Sequence, residues 1–495
     1  MSGIDWSYVL TWTVVALQII LRIVALGVIP GNRKPSSGMA WLLLILIEPF
    51  IGFTIFLLLG RTNLGRKRHA RQVRAKQQVA EQLGEFTDPA ADTAALAGAP
   101  TYVSSVVELN HTLGALPLKL GNGVELMADY RGTITAMAQE VDRAEAFVHV
   151  EFYISAWDEV TDPLFAAMAR AAERGVEVRL LFDHLGSRGL PVYKEFTHRL
   201  AETGIEWYPM LPIMPLKGRW RRPDLRNHRK LLVVDGRVAF TGSLNLTEPG
   251  YNKPKNHKLS REWVELMVRL EGPIVASVDA VFAADWYTET GEKPNSEQAD
   301  AWRPVLTDPV PPTRRESSTV GDVACQLVPS GPGYVAENNL RMFTTLIYNA
   351  SHRISLTSPY FVPDESLLYA VTTAAQRGVD VELFVSELSD QFMVGHAQAS
   401  YYRALLEAGV KIHQYPAPYI LHSKHFTIDD DVAVVGSSNM DMRSFALNYE
   451  VSLMMLGRDI VSSMRQVEDR YREISKPLTL DEWDQRSPPS STSTT

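Results

Sequence analysis

His228-Arg229-Lys230-Leu231-Leu232-Val233-Val234-Asp235, followed by Gly242-Ser243-Leu244-Asn245, recurs as His422-Ser423-Lys424-His425-Phe426-Thr427-Ile428-Asp429 and Gly436-Ser437-Ser438-Asn439. His, Lys, Asp, Gly, Ser and Asn keep identical offsets in the two copies. At about one-in-twenty odds per position, chance does not produce such a match twice. The repeat therefore marks a duplication with one motif in each half.

The surroundings repeat as well. Residues 147–154 read as an apolar strand, and Leu164, Phe165, Met168 and Ala172 follow at helical spacing. A break at Arg174-Gly175 leads to a strand over 176–182. Later, 353–358 reads as a strand, 367–376 as a helix, Arg377-Gly378 as a break and 379–385 as a strand. Each segment then adds a helix, a turn (Gly204-Ile205; Gly409-Val410) and the histidine motif. This alternation predicts an α/β fold, a duplicated α/β sandwich with largely parallel strand pairing.

His228 and Lys230 stand two apart on an expected strand, so they share a face. Asp235-Gly236 is a hairpin turn signal, and the return strand brings Gly242, Ser243 and Asn245 back beside them. The second copy does the same through Asp429-Asp430-Asp431. A glycine there would let backbone approach a ligand closely. Ser243, Asn245 and Lys230, with Ser437, Asn439 and Lys424, are donors suited to phosphate oxygens. Two facing clusters allow one imidazole to attack phosphorus while the other protonates the leaving oxygen. An attacking imidazole needs an acceptor on its other nitrogen. Glu265 and Glu450, each downstream of a motif, are the candidates. Asp235 and Asp429 are turn-flanked, and we expect them to brace the site electrostatically rather than take protons. A metal site is disfavoured because lysine is not a usual ligand and no zinc-like spacing surrounds the motifs. His425 alternates away from His422 and Lys424 and reads as structural.

The 495 residues suggest about three units. The net charge of −8 argues against a general nucleic-acid binder. The single cysteine, Cys325, excludes an internal disulfide framework and fits a reducing compartment. Near the start, residues 6–29 and 39–60 are apolar runs, each of about the length that crosses a bilayer. They read as a two-helix transmembrane hairpin; the alternative is a pair of buried helices in a soluble domain. No basic leader precedes the first run, so a cleaved signal peptide fits poorly. Arg61, Arg66, Lys67, Arg68, Arg71, Arg74 and Lys76 outnumber Arg33 and Lys34 in the connecting loop. The positive-inside rule then predicts a multi-pass membrane protein with its catalytic halves and N-terminus in the cytoplasm. The same cluster would attract anionic head groups. Arg22 and Glu48 are costly inside a membrane and lie at similar depth, so an ion pair between them is expected.

The expected layout is a transmembrane hairpin over 1–60, a basic juxtamembrane helix and linker over 61–105, and a first half over 106–291. A Pro-rich linker over 292–321, a second half over 322–486 and a disordered tail over 487–495 complete it. The basic stretch from Lys217 to Arg222 reads either as a grip on lipid head groups or as a solvated loop.

The paired motifs resemble those of the phospholipase D superfamily, and the layout is similar to bacterial cardiolipin synthases within it. Further matching phrases are Leu46-Ile47-Glu48-Pro49 with Gly52, Arg269-Leu270-Glu271-Gly272-Pro273, and Ser358-Pro359-Tyr360-Phe361-Val362-Pro363-Asp364. Another is Gly436-Ser437-Ser438-Asn439-Met440-Asp441-Met442-Arg443-Ser444-Phe445. The likeness covers nearly the whole chain except 86–100 and the tail. One departure is an insert around Lys253 to Lys258, which puts Glu265 farther from its motif than Glu450 is from the other.

The resemblance implies phosphatidyl transfer between two phosphatidylglycerol molecules, giving cardiolipin and glycerol through a phosphohistidine. His228 would attack. His422 would protonate the departing glycerol and then deprotonate the second lipid's hydroxyl. Lys230, Lys424, Asn245 and Asn439 would hold the phosphate. No metal, CTP or nucleotide enters this scheme. The partners implied are phosphatidylglycerol and other anionic membrane lipids, with no nucleic acid and the oligomeric state open. With water as acceptor, the same residues would serve a membrane phospholipase D. A nucleic-acid phosphodiesterase is disfavoured by the apolar segments and net acidity, and a non-catalytic scaffold by the intact motifs.

Overall fold

The computed structural model describes residues 5–31, 35–60, 68–75, 77, 96, 98–114, 116–213, 222–292, 319–335 and 337–485. Outside them lie Arg33, Lys34, Arg61, Arg66, Lys67, Lys76, Lys217 to Arg221, nearly all of both linkers and the 487–495 tail. The chain divides into two units, Met1–Leu64 and Gly65–Thr495.

In the larger unit both halves contribute to one sheet, fifteen strands among the described residues. From its centre outward the first half runs Lys119–Met127, Met267–Glu271, Val238–Gly242, Lys230–Val234, Phe147–Phe152, Glu177–Asp183 and Glu206–Met210. The second half repeats that order with Thr319–Ser330, Glu450–Leu456, Val432–Gly436, His425–Ile428, Arg353–Thr357, Asp380–Ser386 and Lys411–Tyr415. Lys476–Leu478 edges the second half, and Lys119–Met127 pairs antiparallel with Thr319–Ser330 to join the two. Within this sheet, parallel pairing is confined to Phe147–Phe152, Glu177–Asp183 and Glu206–Met210 in the first half and Arg353–Thr357, Asp380–Ser386 and Lys411–Tyr415 in the second. The rest, including both motif hairpins, are antiparallel. The largely parallel sheet expected from the sequence is thus corrected. Helical crossovers give parallel neighbours, but each motif strand returns through a three-residue turn and must run antiparallel.

Alternation along the motif strands sets the layers. Leu232, Val234 and Phe240 face a core closed by the helices Tyr130–Asp142, Asp162–Glu173 and Tyr193–Ala201. Leu231, Val233 and Ala239 face a second core that both halves share, built on the helices Ile274–Thr290 and Arg458–Ile474. The second half has its own outer core under Asn338–Asn349, Glu365–Gln376 and Phe392–Glu407. The helix Thr101–Thr112 crosses the expected boundary at 106. Its Val103 and Val106 belong to the second half's core, and Tyr102 donates to Asp431 at 2.9 Å.

The motif aspartates hold the hairpins in place. The Asp235 carboxylate accepts backbone N–H bonds from Glu145 (3.0 Å), Ala146 (2.8 Å) and Phe147 (2.9 Å). Asp429 accepts them from Ser351 (2.8 Å), His352 (2.7 Å) and Arg353 (2.8 Å). Seven residues of extended chain, roughly 20 Å, separate each aspartate from its motif histidine. The expectation that they brace the site electrostatically is therefore corrected: they brace strand pairing at the far end of the motif. Both occupy the left-handed region, with φ of 50° and 47°, as the turns require.

The helical residues 68–75 pack within the larger unit. Arg68 is buried in an ion pair with Glu289, and Gln72 donates to the Pro332 carbonyl at 2.9 Å. Arg68 is thus unavailable for lipid head groups.

In the smaller unit, Trp6–Val28 is a 23-residue helix, long and apolar enough to cross a membrane. The second apolar run is two helices, Pro35–Ile47 and Pro49–Leu59, of 13 and 11 residues. Glu48 between them has φ −126° and ψ 86°, because a residue before proline is driven out of helical conformation. The expected pair of full-length spans is not what forms. Arg22 does not pair with Glu48; its Nε donates to the Leu46 carbonyl at 3.0 Å.

Replacing Asp235 or Asp429 by alanine leaves three backbone N–H groups without their acceptor. We expect each variant to lose about 3 kcal/mol in chemical denaturation of the full-length protein, with activity per folded molecule largely kept.

Candidate active site

Two short backbone exchanges between the halves build the site. Entering the first motif, the His228 N–H donates to the Tyr449 carbonyl at 2.8 Å, and the Tyr449 N–H donates to the Arg226 carbonyl at 2.9 Å. Entering the second, Ile420–Leu421 pairs parallel with Trp263–Val264, and the His422 N–H donates to the Val264 carbonyl at 2.8 Å. Each motif histidine is thus laid beside the residue preceding a glutamate of the opposite half.

The carboxylates consequently cross over. His228 Nδ1 lies 3.0 Å from Glu450 Oε2 and 3.0 Å from the Ser437 carbonyl; His422 Nδ1 lies 2.7 Å from Glu265 Oε1. Sequence reasoning named both acids but associated each with its own motif, since a downstream position does not reveal pairing across the halves. With Nδ1 engaged by a carboxylate, each ring keeps Nε2 for chemistry. His228 and His422 both line one cavity of about 230 Å³, as do Asn245 and Asn439.

The other predicted residues take distinct positions. Lys230 and Lys424 are buried, each donating to the carbonyl of the histidine two residues before it, and neither is among the side chains lining the cavity. Each ammonium keeps two further N–H groups. Ser437 Oγ donates to Glu450 at 2.5 Å, whereas Ser243 Oγ accepts from the Leu266 N–H at 2.9 Å and donates to the Leu266 carbonyl at 3.2 Å. Ser437 therefore supports its acid directly, and Ser243 holds the backbone next to Glu265. Asn245 is fixed by the Ile154 N–H at 3.2 Å and donates to Tyr251 at 2.8 Å. The buried Asn439 Oδ1 has no hydrogen-bond partner. The motif glycines admit a neighbouring strand rather than a ligand. A Cβ on Gly242 would lie 2.4 Å from the Leu266 carbonyl oxygen, and one on Gly436 would lie 2.2 Å from that of Val451.

Burial dominates the electrostatics. It pushes His228 down to about 4, helped by the charges of Lys230 and Lys424 against the pull of Glu450. Burial also lowers His422, again with both lysines contributing. Lys230 falls to about 7 and Lys424 to about 8, chiefly through burial, with the Lys230–Lys424 repulsion contributing at Lys230. For Glu265 and Glu450 burial acts upward, but the interactions with the facing histidine and with the lysine prevail and hold both below the usual range. Before substrate arrives the site therefore holds neutral imidazoles braced by carboxylates.

Sequence reasoning missed several cavity side chains. Arg226 lines the cavity and pairs with Asp183 at 3.1 Å. Its position two residues before His228, in the segment leading into the motif strand, was a usable signal. Arg443 and Lys253 also line the cavity, the latter from the insert that sequence comparison marked only as a departure. Tyr153, whose ring centre lies 4.9 Å from that of His228, comes from a strand end with no motif to mark it. Among the described residues, no group of three or more His, Cys, Asp or Glu side chains is placed to hold a metal ion.

A duplicated sheet with two convergent His-Lys motifs defines a phospholipase D-like protein. A family profile described as "Cardiolipin synthase, PLD-like domain" matches residues 137–286 and 343–471. Cardiolipin synthase A of Pectobacterium carotovorum subsp. carotovorum (strain PC1) is 32% identical, covering 97% of this chain and 95% of its own. The Proteus mirabilis (strain HI4320) protein of the same name is 30% identical over the same shares. The solved phosphatidylserine synthase of Haemophilus influenzae Rd KW20 matches with a TM-score of 0.55 at 14% identity, over 77% of this chain and 92% of its own. That likeness is one of fold. The chain belongs to the cardiolipin synthase family of phospholipase D-like proteins.

The crossed acids give a test. Glu265→Gln and Glu450→Gln should each lower turnover about 100-fold or more. The first half expressed without the second should be inactive, because His228 then lacks both Glu450 and the second imidazole.

Proposed function

We propose that this protein is a membrane-associated cardiolipin synthase that transfers a phosphatidyl group between two phosphatidylglycerol molecules, releasing glycerol. The carrying observation is the pair of imidazoles, each braced at Nδ1 by the other half's carboxylate, in one cavity. His228 Nε2 attacks phosphorus, the bond to the glycerol oxygen breaks, and His422 protonates that oxygen. His422 then takes the proton of the second lipid's hydroxyl, which attacks the phosphohistidine and restores His228. Lys230 and Lys424 stabilise charge on the phosphoryl oxygens, and Asn245 and Asn439 orient them. A phosphate between the two lysines also raises the proton affinity of His422, preparing it as the acid. In this reading the catalytic halves lie on the cytoplasmic side of the cell membrane, supported by the basic residues after 60.

A lipid substrate is supported by the cavity's surroundings. Phe392 is 74% exposed and Met393 77%, between the cavity-lining Gln391 and Val394. Exposed Met442 stands between cavity-lining Asp441 and Arg443. Apolar tips beside cationic lining suit an anionic bilayer surface better than a nucleic acid.

Purified protein in phosphatidylglycerol vesicles with a chelator should yield cardiolipin and glycerol. Phosphatidic acid as the main product would indicate a hydrolase, and a requirement for CDP-diacylglycerol would refute the proposed donor. His228→Ala should abolish turnover and covalent labelling. His422→Ala should also lose about a thousandfold or more of turnover but retain lipid phosphorus on the protein.

The pH profile has a predictable sign. His228 must be neutral, so kcat/KM rises through about 4. His422 must carry the proton it donates, and burial lowers its proton affinity, so kcat/KM falls as pH rises through that lowered value; loss of charge on Lys230 near 7 and Lys424 near 8 steepens the fall. Lys230→Arg should make the alkaline fall shallower in any variant that stays active, because guanidinium remains protonated.

A further inference from the structure

We infer that residues 35–59 form a re-entrant wedge that enters and leaves one side of the membrane, leaving Trp6–Val28 as the single crossing of this unit. The second apolar run folds back on itself at Glu48. A Cβ on Gly52 would lie 2.9 Å from Ile45 Cα and 2.9 Å from the Leu44 carbonyl oxygen. Residues seven apart on a straight helix are separated by about 10 Å along its axis. Trp41 and Phe56, which a straight helix would hold about 22 Å apart, bring their rings to 5.6 Å in an edge contact. Ile45 and Phe56 are buried together with Ala25 and Ile29 of the long helix, so the folded-back arms pack as one body against it.

Length agrees with this path. Arms of 13 and 11 residues reach about 20 and 17 Å, against a hydrocarbon core of about 30 Å. Neither arm crosses, but the two together reach past mid-depth and return. Gly52 stands where they approach most closely, a position any side chain would obstruct.

The fold-back also accounts for Arg22. Where the helix stops before Pro49, the last carbonyls of the first arm lose the N–H groups that a continuing helix would supply. In a bilayer, water cannot replace them. Arg22 sits six residues from the end of the long helix, and helical side chains lean toward the N-terminus and so deeper into the membrane. Its guanidinium reaches the Leu46 carbonyl, two residues from the tip. A cation that is costly in an apolar helix is thus occupied in closing the broken backbone of the wedge.

The topology follows. If both ends of the wedge emerge on one side, Arg33 and Lys34 lie on the same side as Arg61 and the basic residues after it, and their charges add rather than compete. The positive-inside rule places that side in the cytoplasm and residues before Trp6 outside. The segment Met1 to Asp5 has no Lys or Arg to oppose this. A hairpin of two full spans would instead put residues 1–5 and residue 61 on the same side.

Cysteine labelling separates the two, since the protein's own Cys325 is buried. Ser2→Cys, Ser36→Cys and Asn63→Cys are made singly in the full chain, and each is kept only if the protein accumulates in the membrane at the level of the parent. Intact cells are treated with a membrane-impermeant maleimide, before and after permeabilisation. The wedge predicts labelling of Ser2→Cys from outside, with Ser36→Cys and Asn63→Cys labelled only after permeabilisation. Labelling of Ser36→Cys from outside, or protection of Ser2→Cys until permeabilisation, would overturn it. The readout does not depend on the reaction, so it stands or falls apart from the proposed activity.

Discussion

The active site depends on one constraint, the exchange of backbone between the halves at the entrance to each motif. The His228 N–H bonds to the Tyr449 carbonyl, and the His422 N–H bonds to the Val264 carbonyl. The next residues, Glu450 and Glu265, are thereby delivered to the opposite histidine. Arg229 reinforces the first exchange, with its Nε on the Glu450 carbonyl at 3.1 Å and an ion pair to Asp285. The residue between His and Lys is therefore a structural tie that serves the site indirectly. Duplication is not decorative here, because each half is electrostatically unfinished until the other supplies a carboxylate.

Burial then turns this geometry into chemistry. Two lysines and two histidines share a small volume with two glutamates. Dehydration drives all four bases toward their neutral forms while the glutamates stay ionised. In the proposed reaction, an entering phosphodiester anion would offset the repulsion between the lysines. A site of this kind responds most strongly to an anionic ligand, because in low dielectric each added charge is felt by every neighbour.

Much of the fold was legible because it rests on local periodicity. Strands near 147–152 and 353–357, the helices after them, and the motif hairpins all follow from alternation, helical spacing and turn residues. The parallel pairing was overextended because alternation of strand and helix does not say where a hairpin reverses direction. The boundary at 106 cuts the helix Thr101–Thr112, whose Val103 and Val106 pack in the second half's core, because a local sequence pattern does not name a distant partner. The second apolar run was read as one span because hydropathy averages over Glu48-Pro49, whereas backbone sterics at that pair end the helix.

What the sequence by itself determined is the set of candidate site residues, two histidines, two lysines, two asparagines and two glutamates, with a duplicated α/β frame to carry them. Spacing along a strand sets which side chains share a face, so these were readable. Only the tertiary structure decided that the carboxylates cross between halves, that the motif aspartates lock strands roughly 20 Å from the histidines, and that Arg226, Lys253 and Arg443 border the same cavity. Those facts depend on contacts between segments tens to hundreds of residues apart. No local preference encodes such contacts; they follow from how two buried sheet faces and a shared core come to rest against each other.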